Sequence, residues 1–429
     1  VRILLASSHG IGAWFLLRLI HEGHDCDWFL LGEPRQAEKR VLRGLIPPPL
    51  DQPPTDFKPY DLCIFDSTGN GEFADMVRQQ TPVIGDGELA AKLEDDRLFG
   101  IQAMQSCGIE VPAYETFDNP DEAKKWIEEN PKRYVYKPFT PDGKEQDCDT
   151  TYVSDSAEDL IKGIDHLFSE SMETPFLLQE VVEGEEISTE AYFNGDQFFL
   201  HNHTLEEKKF MAGGYGPNTG CSGNLIWTTN GANRLFSAGL GRTRDFLRDH
   251  GYRGMVDLNT IVNEHHVYGL EFTPRFGYDA SATLFSTIAS DLGHFLWAIA
   301  TGQPEIDVKL KSRWAAAGRY SIPPYPEDVQ GEHPKALPIK GVSLQDAWSN
   351  FFLYDAMLDR KGDGEGLCTA GINGLIGCPI ACGHTPEGAW RGVERLSKNF
   401  KAPNMQLRDD LEEKTLKRLK AITEMGWLG

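Results

Sequence analysis

The 429-residue chain has no run approaching the roughly 18–20 uninterrupted apolar residues that a membrane-spanning helix requires. Residues 1–20 come nearest, but Ser7-Ser8-His9-Gly10 and Arg18 interrupt them, which predicts a buried strand followed by a helix. Basic residues are in deficit. The 42 Lys and Arg stand against 65 Asp and Glu, and the formal net charge of −23 repels phosphate backbones and disfavours stable nucleic-acid binding. The eight cysteines are widely spaced in a chain too long to need disulfide staples, which points to a reducing, cytoplasmic setting. Internal repeats and low-complexity tracts are lacking. What remains is an ordinary globular composition, 40% apolar and 10% aromatic, that excludes global disorder.

The length allows two to four structural units. Arg2-Ile3-Leu4-Leu5-Ala6, a glycine-bearing turn and an apolar helix from Ala13 to Ile20 make a strand-loop-helix unit, and strands at 61–65 and 82–85 repeat the pattern. This predicts an N-terminal Rossmann-like parallel α/β domain. Gly10-x-Gly12 lacks the third glycine of a dinucleotide fingerprint, so the motif gives NAD little support. Helices are predicted over 89–107, 119–129 and 155–168, with strands at 133–138, 176–182, 187–193 and 197–201. A hairpin, 254–262 and 267–272, turns through Asn263-Glu264-His265-His266. Five prolines within 322–338 mark a boundary, followed by short strands, a helix over 385–396 and an exposed terminal helix. Cys378-x-x-x-Cys382-x-His384 departs from standard zinc spacing and reads as core strand.

Chemistry-bearing residues follow one another in a telling order. Arg97 and Lys137 supply cations for a polyphosphate. Glu180, Glu183 and Glu186 offer acceptors beside strand backbone for a base amino group and ribose hydroxyls. Asp257 and Glu271, on the two strands of one hairpin, suit a hard cation such as Mg2+ (or Mn2+) that bridges phosphates. Arg275 stands four residues beyond Glu271, placed to hold a developing acyl-phosphate. Together they describe a nucleotide site.

These residues resemble the ATP-grasp ligases, and among them the glycinamide ribonucleotide synthetases. Lys208-Lys209 with Gly216-Pro217-Asn218-Thr219-Gly220 is similar to that family's Asp-His-Lys-Arg…Gly-Pro-Asn-Thr-Gly-Gly signature. Gln179 to Ser188 resembles its Glu-Glu-Phe-Leu-x-Gly-Glu-Glu nucleotide strand, and Tyr252-Arg253-Gly254 and Leu270 to Gly277 resemble its Tyr-Arg-Gly and Leu-Glu-Phe-Asn-x-Arg-Phe-Gly. The resemblance runs from about Pro82 to the end.

It implies an ATP-grasp fold of mixed α/β and α+β class: an N-terminal domain over 1–88, an ATP-grasp domain over 89–330 with a lid at about 115–182, and a small C-terminal domain over 331–429. It implies an ADP-forming carboxylate-amine ligase using ATP and Mg2+ (or Mn2+), working through an acyl-phosphate. Arg97, Lys137, Glu180, Val182, Glu183 and Glu186 are then expected at the nucleotide. Arg275 and Lys208 are expected at the reacting groups, and Lys209, Gly216, Pro217, Asn218, Thr219 and Gly220 at the substrate. Asp257, Glu271 and Thr273 are expected at the metal. Residues 141–145 are expected to form a flap. The partners are a small carboxylate, glycine or another amino acid, and an amine; the chain is expected to be a monomer or homodimer without membrane attachment.

Departures point to a rebuilt amine pocket. The family's Gly-x-Gly-Gly-Arg-Glu-His loop, which helps bind phosphoribosylamine, reads Ser7-Ser8-His9-Gly10-Ile11-Gly12-Ala13-Trp14, and its Gly-Pro-Glu loop reads Asp66 to Gly71. Thr273 replaces the Asn that accompanies the metal-binding glutamate, and Cys221 replaces the second glycine of the signature. Three functions remain open: the purine-pathway ligation of glycine to phosphoribosylamine, a diverged ligase with another amine or nucleotide-like acceptor, and a non-catalytic nucleotide-binding protein.

Overall fold

Four short strands open the chain: β1 (Arg2–Ser7), β2 (Asp25–Leu30), β3 (Leu62–Phe65) and β4 (Val83–Ile84), joined in parallel in the order β2-β1-β3-β4. Side chains alternate across this sheet, Ile3 and Leu5 entering one apolar cluster and Leu4 and Ala6 another, as a parallel sheet covered on both faces requires. The computed structural model describes residues 1–139, 151–166, 175–229, 231, 233–327, 333–344, 347–359 and 366–428. The expected flap over 141–145 lies outside them.

Helix α1 (Trp14–His21) ties this sheet to the rest of the chain. Phe15 packs on Phe276 with ring centroids 4.8 Å apart, and Leu16 and Leu19 share a core with Phe285 and Leu296. Helix α2 (Gly71–Arg78) follows β3. The single helix expected over 89–107 is two, α3 (Glu88–Asp95) and α4 (Arg97–Ser106). Asp96 leaves the helical conformation between them and accepts from the Phe99 amide at 3.0 Å, an N-cap that interrupts an otherwise continuous pattern. Arg97 thereby begins α4.

A second sheet, antiparallel, contains β5 (Tyr114–Phe117), β6 (Tyr134–Pro138), β7 (Tyr152–Val153) and β8 (Phe176–Glu180) in the order β5-β8-β6-β7. Helices α5 (Pro120–Glu129) and α6 (Ala157–His166) cover it through Ile127, Leu160 and Ile164.

Among the described residues the largest sheet has nine strands: β9 (Glu185–Phe193), β10 (Phe198–Met211), β11 (Tyr215–Thr228), β12 (Gly254–Val262), β13 (Val267–Thr273), β14 (Trp314–Gly318), β15 (Tyr320–Ser321), β17 (Phe351–Leu353) and β20 (Leu375–Gly383). Its main order is β13-β12-β9-β10-β11-β14-β20-β15, with β17 on β20. It therefore runs through strands on both sides of residue 331. A small sheet holds β16 (Lys335–Ile339), β18 (Met357–Asp359) and β19 (Gly366–Ala370). The short helices α7 (Arg234–Ala238) and α8 (Arg244–Asp249) precede β12. The others are α9 (Tyr278–Ser286), α10 (Leu292–Thr301), α11 (Pro386–Ser397) and α12 (Leu411–Glu424).

Residues 216–223, whose glycines favour a loop locally, are part of β11. Cross-strand pairing with β10 overrides the local glycine preference, and shifts in register around Lys209 absorb the mismatch. Cys378 and Cys382 lie within β20, as the core-strand reading expected. Among the described residues no helix is long and apolar enough to cross a membrane.

Candidate functional site

Strand alternation divides the large sheet into two unlike faces. On one, Ile187, Leu205, Trp227 and Val262 pack with Ile422 and Trp427 around α12. On the other, register aligns Asn202, Glu190, Asp257 and Thr273 in one row across four strands, and Thr204, Ser188, Asn259 and Glu271 in the next. Polar residues fill eight positions where an ordinary packed face would carry hydrophobic side chains.

Within these rows Ser188 Oγ lies 3.1 Å from Asp257 Oδ2 and 2.8 Å from Asn259 Oδ1, and Asn259 Nδ2 is 3.4 Å from Thr273 Oγ1. Glu190 stands directly opposite Asp257, a like-charged cross-strand pair. Burial pushes Asp257 well above the usual carboxylate range, with Glu190 and Glu206 adding to the effect, and lifts Glu190 and Glu206 themselves up to about 7. Asp257 Oδ1 and Glu190 Oε1 are buried without a hydrogen-bond partner.

Cations border the polar face. Burial opposes the charge of Glu271, yet Lys208, Lys137, Arg97 and Arg275 together hold its carboxyl below the usual range. Lys137, at the end of β6, donates to Gln179 Oε1 at 2.8 Å, and burial brings its pKa down to about 8. Arg97 is lowered by burial, and its buried Nε has no acceptor. Lys208 pairs with Glu186 at 2.6 Å; burial works against its charge, but Glu186, Glu271 and Glu206 raise its pKa. Arg275 Nε donates to Glu94 Oε1 at 2.9 Å, and Thr68 Oγ1 donates to the other oxygen of Glu94 at 3.0 Å. That relay joins Arg275 to the loop after β3.

Of the residues singled out from sequence, Arg97, Lys137, Glu186, Lys208, Asp257, Glu271, Thr273 and Arg275 therefore gather around one cleft. Others stand apart. The Glu180 carboxylate turns to Lys132 at 2.5 Å and the Glu183 carboxylate to Arg133 at 3.0 Å, both toward solvent, while Val182 is half-buried between β8 and β9. Lys209, Gly216, Pro217, Asn218 and Gly220 are exposed near the end of the β10-β11 hairpin. Thr219 is tied inward, donating to the Lys208 carbonyl at 3.1 Å and accepting from Arg319 through its own carbonyl at 2.7 Å.

Sequence reasoning missed Gln179, Ser188, Glu190, Glu206, Asn259 and Glu94. For Ser188, Glu190 and Asn259 a signal was present: each is polar in phase with Glu186 or Asp257 along its strand, although only in the apolar strand of Asn259 does it stand out. A separate cavity of about 360 Å³ lies behind α1, against Arg18, His21 and Trp348, and shares no residue with the cleft.

Comparisons with known proteins show what the chain is similar to. Residues 95–281 match the family model described as phosphoribosylglycinamide synthetase, ATP-grasp (A) domain. A phosphoribosylamine-glycine ligase of Streptococcus suis is 27% identical over 237 residues, covering 53% of this chain and 55% of that protein. Another, of Leptospira interrogans, is 24% identical over 358 residues, 80% of each chain. The chain thus spans between about half and four fifths of these relatives' length. The crystal structure of a phosphoribosylamine-glycine ligase from Thermotoga maritima superposes with a TM-score of 0.70 at 20% identity, over 96% of this chain and 100% of that one.

Proposed function

We propose, from the premise that this chain has the ATP-grasp fold and that its residues 95–281 resemble the ATP-grasp domain of phosphoribosylglycinamide synthetases, that it is an ATP-dependent carboxylate-amine ligase. The observation that carries this reading is the set of four cations, Arg97, Lys137, Lys208 and Arg275, surrounding Glu271 beside buried Glu190 and half-buried Asp257 and Glu206. A magnesium nucleotide needs both halves of that arrangement. The proposed units are 1–88, 89–330 with a lid at about 115–182, and 331–429.

The residues present suit ATP and Mg2+. Arg97 Nε and Asp257 Oδ1 are buried polar atoms without partners, and a phosphate oxygen and a metal ion would satisfy them respectively. Arg97 and Lys137 would bind the polyphosphate. The stretch Glu180, Val182, Glu183 and Glu186 would meet base and ribose, after Glu180 and Glu183 leave their surface lysine and arginine. Asp257 and Glu271, with Asn259 and Thr273 between them, would hold Mg2+ (or Mn2+). The bound metal supplies charge neutralisation on the transferred phosphoryl group.

A carboxylate is a poor electrophile, so the reading requires a mixed anhydride. The substrate carboxylate oxygen bonds to the terminal phosphorus as ADP leaves; the amine nitrogen then bonds to the carbonyl carbon as phosphate leaves. Arg275 and Lys208 spread the negative charge at both stages. Lys209 and Gly216, Pro217, Asn218, Thr219 and Gly220 form the outer substrate wall, which Thr219 anchors to the Lys208 backbone.

The test is Mg2+-dependent ADP release by the full chain with a panel of carboxylates and amines. Release with glycine and phosphoribosylamine selects the purine-pathway reaction, and release with other pairs selects a diverged ligase. ATP binding without release under any pair leaves a nucleotide-binding protein. Glu271→Gln is expected to abolish release, and unchanged turnover would refute the site assignment.

A further inference from the structure

The carboxyl ends of neighbouring parallel strands are where open α/β sheets take ligands, and a glycine-bearing loop there commonly turns its N–H groups toward an anion. β1 and β3 are such neighbours. The loop after β1 does turn its donors inward, but Asp66, the first residue after β3, receives them. The Ser8 amide donates to Oδ1 at 2.9 Å and the Gly12 amide to Oδ2 at 2.8 Å, while the Ser7 hydroxyl donates to Oδ2. Asp66 is 1% exposed. A Cβ built on Gly12 would lie 2.4 Å from Oδ2, so the carboxylate fills the space the loop encloses. Burial pushes the Asp66 pKa up to about 6, which leaves it ionised at neutral pH.

The basic groups at this rim are engaged as well. His9 Nδ1 lies 2.9 Å from Glu38 Oε1, and Arg35 donates to the same oxygen at 2.8 Å through Nε and to Oε2 at 2.9 Å through its amide. The Glu38 side chain is almost wholly buried. A phosphate arriving here would meet one carboxylate already seated on the amides and another already paired with the cations.

We propose that Asp66 closes the Ser7 to Gly12 loop to phosphate, and that the amine accepted by this chain is a neutral or cationic one without a phosphate ester at that loop. The inference rests on the ligase reading for its substrate half; the closure of the loop stands on geometry alone. Asp66 is then a specificity-determining residue that substitutes internally for the anion such a loop would bind.

Two measurements on the full chain test it. In the first, ribose 5-phosphate is titrated to about 10 mM into ¹⁵N-labelled protein while the Ser8 and Gly12 amide resonances are followed. They are expected to stay in place in the wild type and to shift in Asp66→Ser, where space and charge are released. Saturable movement in the wild type overturns the proposal whether or not the variant folds. In the second, ADP release is compared for matched amines, glucosamine against glucosamine 6-phosphate and ribosylamine against 5-phosphoribosylamine. The unphosphorylated member is expected to be favoured by about a hundredfold in kcat/KM, the order by which a mismatched pocket discriminates; preference for the phosphate ester overturns the proposal. Silence with every amine counts against the ligase reading, while the resonance titration still decides whether the loop is closed.

Discussion

Filling the cleft with Mg2+ and a non-hydrolysable ATP analogue is expected to expel protons, because the floor carries more carboxyls than it can hold charged. Burial lifts Glu190 and Glu206 up to about 7, so near neutral pH both are partly protonated, and burial together with both neighbours pushes Asp257 well above the usual carboxylate range. A divalent cation reverses the balance, since ligation favours the ionised form. Binding at pH 7 should therefore release protons from the protein. Each proton released makes affinity fall about tenfold per unit of acidification, or about 1.4 kcal/mol, between pH 8 and 6. The sign is fixed by the raised pKa values: the free state takes up protons as pH falls, and the loaded state does not. Calorimetric titration in two buffers of different ionisation enthalpy counts the protons. Because the nucleotide contributes its own, the decisive number is the difference from Asp257→Asn, which should release fewer. Equal proton counts in the two proteins, or pH-independent affinity, would refute the assignment of Asp257 to the metal.

The same crowding makes Asp257→Asn stabilising without ligand, by about 1 kcal/mol, since it removes a carboxyl whose ionisation burial and the facing Glu190 oppose; a thermal scan should show a higher Tm together with weaker Mn2+ binding. Glu94→Gln leaves Arg275 without its carboxylate partner and should lower ADP release by about 10- to 100-fold at unchanged Tm, the loss of Arg275 placement being read in kcat. Trp227→Ala should cost about 3–5 kcal/mol in urea unfolding, because Trp227 is 1% exposed and stacks on Trp314 at 5.1 Å.

Much of the site was legible because charged residues on apolar strands have no inexpensive structural explanation. Asp257 and Glu271 stood out in their hairpin for that reason, and the hairpin formed where the alternation placed it. Glu190 escaped notice although it obeys the same rule, since its strand also carries Ser188 and Thr189 and looks like an ordinary polar edge. The break at Asp96 was hidden by helix-forming neighbours on either side. The β10-β11 hairpin was illegible from local signals: Gly216 and Gly220 have φ of 78° and 71°, which reads as loop until the partner strand is known. Asp66 could be located beside a strand end from sequence, but only the fold shows that its carboxylate reaches across to β1.

The order of strands in the large sheet sets a timetable for synthesis. β14 and β15 are separated by a single residue, yet β20, which begins at Leu375, lies between them. A ribosome must deliver Gly383 before β14 gains its second neighbour. Until then β14, with Ala315, Ala316 and Ala317, presents an open apolar edge, the kind that pairs with other chains. A message truncated in the proline-rich stretch before residue 338 would therefore yield a chain with nearly every residue of the cleft and an uncovered strand beside them, prone to aggregate rather than to bind.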